Sequence, residues 1–236
     1  MRKRTLAGVF LTISLAAYAS KQYGTSLKNH PIPRAGCYPV AKISLRKANK
    51  LIASQNMTAV NGANNEVKAL GAAIHWIQHL NGGVLRSGMA PKGYKVRFIS
   101  GDSSSSQRVD HIRINKRWGT SVAQHAHEWA HLIGGKGAYA AYRRHMGLPS
   151  KGTTTSRSTR HINKFCMVSG YADNNPSRLG YKYLNEQFAE VFTAFVTEPG
   201  LLIENQSEPC QRAFDFFVNW FDAGNRVYEC YDKQNR

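Results

Sequence analysis

The chain has 236 residues, with 32 Lys and Arg against 14 Asp and Glu, for a net charge of +18. At 42% hydrophobic and 11% aromatic residues it carries enough apolar material for a packed core, which excludes collagen-like, coiled-coil and wholly disordered chains. The positive charge favours anionic partners (a surface or a polymer) and is silent about fold.

Residues 1–19 read as a signal peptide. Arg2, Lys3 and Arg4 precede an apolar run over 5–16, and Ala17-Tyr18-Ala19 supplies a small-x-small cleavage site. That apolar run is shorter than the ~20 residues of a spanning helix, so the expectation is a secreted or periplasmic protein without a transmembrane anchor after cleavage. Residues 20–60 read as a basic arm with Pro31, Pro33 and Pro39 and one short helix at 44–54. The main domain is expected over 61–236. Its first helix runs from Asn64 to Leu80, with Val67, Leu70, Ile74, Ile77 and Leu80 at three- and four-residue steps and Gly82-Gly83 as the stop. Residues 94–100 and 109–115 alternate like strands. Thr120 or Ser121 caps a helix that reaches Ile133, where Gly134-Gly135 is expected to end it. Residues 146–180 read as loop, 185–197 as helix up to Pro199-Gly200, and 212–221 as an apolar final helix.

Four cysteines, Cys37, Cys166, Cys210 and Cys230, suit two disulfides in an oxidising compartment and lack the close spacing of a Cys-rich zinc site. Of the three pairings, Cys210–Cys230 with Cys37–Cys166 is the expected one.

The chemistry concentrates in His127-Glu128-Trp129-Ala130-His131, an H-E-x-x-H. Four residues along a helix turn the chain by about 400°, which leaves the two imidazoles roughly 40° apart and able to share one metal ion. Glu128 then stands beside that ion as a base for water. His75 and His79 have the same spacing with Trp76 where the base belongs, so they read as structural. His125 points away from the site. A zinc site needs a third protein ligand. Position 137, where a third histidine six residues past His131 would fall, is glycine. Glu186 and Glu190 share a helical face farther on, so Glu186 is the candidate third ligand and Glu190 a hydrogen-bond partner for a ligand histidine.

His127–His131 together with Asn185-Glu186-Gln187-Phe188-Ala189-Glu190 resembles the two motifs of the gluzincin metallopeptidases. The nearer likeness is to lethal-factor-type peptidases and their small secreted relatives. That resemblance implies an α+β zincin-like catalytic domain: a small mixed sheet, an H-E-x-x-H helix and a C-terminal helical part carrying the glutamate ligand. It implies a zinc metalloendopeptidase with one Zn²⁺ per chain, a water nucleophile, Glu128 as base and a peptide or protein substrate. It further implies an oxyanion-stabilising tyrosine, for which Tyr171 in Ser169-Gly170-Tyr171-Ala172 is the candidate, with Tyr181 and Tyr183 competing. Substrate would lie along an edge strand, a part given to residues 109–115. The alternative is a basic exported binding protein, polyanion- or wall-associated, with a zinc site and no peptidase activity. No sequence motif for specific nucleic-acid binding is present.

Overall fold

A computed structural model describes residues 42–83, 94–100, 106–107, 111–148, 165–168 and 181–234. The chain opens with α1 (Leu45–Ser54), β1 (Thr58–Val60) and α2 (Asn64–Leu80). Strands β2 (Lys95–Ile99), β3 (Ser106–Gln107) and β4 (His111–Asn115) follow, then α3 (Val122–Ile133). A π-helical turn over Gly134–Ala138 joins α3 to α4 (Tyr139–Met146). The C-terminal part is helical: α5 (Tyr181–Thr197), α6 (Gly200–Ile203), α7 (Glu208–Phe221) and α8 (Arg226–Gln234).

The sheet is mixed, in the order β1-β2-β4-β3. β1, β2 and β4 run parallel and β3 is antiparallel to β4. Alternation along the strands sends Val96, Phe98, Ile112 and Ile114 into the core, each no more than 2% exposed. Lys95, Arg97, His111 and Arg113 take the opposite face, with Lys95 beside His111 and Arg97 beside Arg113. One expectation is corrected here. The segment assigned the edge-strand part, 109–115, contributes β4, which is flanked on both sides; β1 and β3 are the edges, and β3 packs beside α3.

Helices α3 and α5 form the most extensive helix pair. Both are largely buried, and the polar side chains they bury include His127 and Glu128 on α3 and Gln187 and Glu190 on α5. α5 inserts Phe188, Phe192 and Phe195 among Phe217 and Phe221 of α7, with neighbouring ring centroids 5.4–5.7 Å apart. These rings anchor the helix that carries Glu186 and Glu190.

Several element boundaries differ from the sequence reading, for identifiable reasons. The stretch from Ile43 to Val60 belongs to the core rather than to an arm: Ile43, Ala48, Ile52 and Met57 are buried and β1 pairs with β2. Gly134-Gly135 does not end the helix, because Gly134 keeps right-handed helical dihedrals and passes the chain into the π turn. The stop comes at Gly147, whose φ of 64° needs a glycine-tolerant position. α5 begins four residues earlier than the apolar pattern, and α8 has too polar a sequence to announce itself. The expected cysteine pairing is also corrected: Cys166 is bonded to Cys210. Gln187 of α5 donates to the Cys166 carbonyl at 3.1 Å, which ties residues 165–168 to α5, while the disulfide ties them to Cys210 in the first turn of α7. Cys37 lies outside the described residues. Among the described residues no helix is long and apolar enough to cross a membrane.

Candidate metal centre

Ser121 caps α3, its hydroxyl accepting from the Gln124 amide at 3.3 Å. The cap fixes the phase of the helix, and with it the direction of His127 and His131 one turn apart. Both rings face α5. Their Nε2 atoms are 3.1 Å apart, and Glu186 Oε2 lies 3.2 Å from the first and 3.4 Å from the second. His127, His131 and Glu186 therefore present one ligand atom each within 4.8 Å of one another, a group that can hold a metal ion. The His127 side chain is fully buried, whereas His131 is 17% and Glu186 14% exposed, so the group opens to solvent on one side only.

Each histidine has an oxygen beside its other nitrogen. His127 Nδ1 lies 2.9 Å from Glu190 Oε1, and Glu190 is itself buried. His131 Nδ1 lies 2.8 Å from the Tyr139 hydroxyl. A ring held this way keeps a fixed orientation and tautomer, with Nε2 directed at the shared point. Burial alone pushes the Glu186 carboxyl up, but hydrogen bonds and charge from His127 and His131 outweigh it and hold the group well below the usual carboxylate range. It stays ionised, as a metal ligand must.

Glu128 is 2% exposed, and Gln124, one turn earlier, donates to its Oε1 at 3.1 Å. His125 and His79 take structural parts. His125 is buried on the far side of α3, bonded through Nε2 to the Gly119 carbonyl at 2.8 Å and edge-on to Phe98. His79 stacks on Trp76 and reaches Glu229 of α8 at 3.4 Å. Tyr171 lies outside the described residues, and Tyr181 and Tyr183 fall in the first turn of α5. Sequence reading missed two members of the site. Gln124 had a detectable signal, an i, i+4 relation to Glu128 on a capped helix. Tyr139 had none, because the glycines before it read as a helix end.

Two imidazoles and one carboxylate form a borderline-to-hard donor set that fits zinc. The arrangement of a ligand carboxylate and a buried partner carboxylate four residues apart on α5 matches what such a group needs from a facing helix. No family profile, no curated protein and no solved structure matches this chain significantly.

Proposed function

We propose that the protein is a zinc-dependent metallopeptidase of gluzincin type, exported and oxidised at its cysteines. The observation that carries this reading is the convergence of His127, His131 and Glu186 on one point, with Glu128 next in sequence to the first ligand. Bound there, zinc supplies Lewis acidity and a nucleophilic water near neutral pH. The chain's own part is to hold and move protons. His127 and His131 offer Nε2 because Glu190 and Tyr139 occupy Nδ1. Glu128 accepts a proton from the attacking water and passes it to the leaving amine, and Gln124 keeps its carboxylate in place. Tyr171 is the proposed donor to the developing oxyanion. A peptide pairs with the edge strand β3, which runs beside α3. The Cys166–Cys210 bond is compatible with an exported protein.

Glu128→Gln tests this reading. The variant keeps size and helix but has no basic oxygen at neutral pH, so it should bind one zinc as the wild type does while peptide hydrolysis falls by at least ~10²-fold. Retained hydrolysis would rule out Glu128 as the base, and a wild type that cleaves nothing across a broad peptide library would rule out the peptidase.

A second reading, polyanion binding, is favoured by the outer face of the sheet. The four strands contain no Asp or Glu. Lys95, Arg97 and Arg113 make no salt bridge among the described residues, and Arg97 sits directly opposite Arg113. Like charges in register oppose sheet formation. A patch built against that cost suits a partner carrying repeated negative charge.

A further inference from the structure

Tyr139 holds His131 from behind, and its placement depends on the irregular turn before it. His131 Nε2 faces His127 and Glu186, while Nδ1 meets the Tyr139 hydroxyl at 2.8 Å. The two nitrogens lie on different sides of the imidazole, so this phenol stands away from whatever binds Nε2 and cannot serve as an oxyanion donor there. In an unbroken α-helix a residue eight positions on would be about 12 Å farther along the axis. The π turn over Gly134–Ala138 winds wider and rises less, and such turns concentrate at functional sites. Tyr139 follows it directly, and side chains on a helix lean back towards the N-terminus, here towards His131.

The ring is confined on two sides. A Cβ at Gly134 would stand 2.1 Å from the Tyr139 Cζ, so the ring crosses the space that a side chain at 134 would fill. On another side Phe188 of α5 meets it edge-on, centroids 4.8 Å apart. Tyr139 is only 7% exposed. A buried phenol so confined presents its oxygen at one point, and that point is His131 Nδ1.

We propose that Tyr139 is a positioning residue of the metal centre, its hydroxyl oxygen accepting the Nδ1–H of His131 and thereby fixing the tautomer that leaves Nε2 as ligand. Gly134 is the companion requirement, since it gives the ring its path. The proposal rests on the metal-site reading above. On His127 the corresponding nitrogen lies 2.9 Å from the Glu190 carboxylate, so the groups beside the two histidines differ in charge.

Zinc affinity of the full chain, measured by chelator competition, tests the proposal with Tyr139→Phe, which keeps the ring and removes only the oxygen. Zinc should bind ~10–100-fold more weakly, while the metal-free variant melts close to the wild type. Equal affinity would overturn the proposal. A measurement on the wild type alone guards against a variant that fails to fold. In the zinc-loaded protein the His131 Nδ1 proton should appear in ¹⁵N-resolved spectra as hydrogen-bonded and slow to exchange, and rapid exchange would equally overturn it. Failure of the two ideas is distinguishable. A wild type that takes up no zinc removes the metal site and this inference with it. A wild type that binds one zinc no better than Tyr139→Phe removes only the role of Tyr139.

Discussion

A single histidine two positions before His127 shows how differently neighbouring side chains on one helix can be used. His125 is fully buried, and desolvation drives its pKa from 6.5 down to about 4 despite the opposing hydrogen bond to Gly119. The ring is therefore neutral in the fold and readily protonated in the unfolded chain. Between those two values the unfolded state binds more protons, so stability is full above pH 6.5 and falls as the pH drops towards 4. The expected loss is roughly 3 kcal/mol across that window. Urea titrations at pH 7.5, 5.5 and 4.5 should show it, and His125→Gln, which retains a donor for Gly119, should flatten the profile. An unchanged slope in that variant would mean another group dominates. Residues of this kind were legible in part. The i, i+4 spacings of His127 with His131 and of Glu186 with Glu190 identify a shared face from sequence alone, because helix geometry fixes it. Which nitrogen of each ring is held, and by what, depends on residues brought in from other turns and other helices.

Among the elements, the π turn is the one whose meaning reverses between sequence and structure. Two consecutive glycines after an amphipathic run ordinarily mark a stop, since glycine weakens a helix by about 1 kcal/mol relative to alanine. Here Gly134 is needed for the missing side chain rather than for unusual dihedrals. Gly134→Ala should consequently destabilise the protein despite its better helix propensity, by about 1–3 kcal/mol of overpacking, read from the urea midpoint. Stabilisation would show that the Tyr139 ring can move aside at little cost. Longer elements were better announced: α2 spans the residues its apolar periodicity marks, with Glu66 accepting from the Ala63 amide at 2.6 Å to close its first turn. β1 has three residues, too few for an alternating pattern to register. The Cys166–Cys210 link was hidden for a different reason, since connectivity depends on which segments the fold brings side by side rather than on spacing.

At the scale of the molecule, part of the positive charge acquires a location. The helices cover one face of the sheet and leave Lys95, Arg97 and Arg113 on the other. Retention on a polyanionic resin should fall steeply with salt, and the double variant Arg97→Ala/Arg113→Ala should lower the magnitude of the log–log salt slope by about 2. A slope that does not change would place the binding surface elsewhere. The same sheet also bears on how the molecule comes to be folded. β1 pairs with β2 in parallel, Thr58 with Lys95, so the whole of α2 lies in the crossover between the two strands. Its contacts are thus distant in sequence, and distant contacts are reached slowly because chain entropy is lost before they form. The helices α3 and α5, also far apart along the chain, must meet before three ligand atoms can converge. A metal ion held by that group would accordingly be captured late, closing the folding reaction instead of nucleating it.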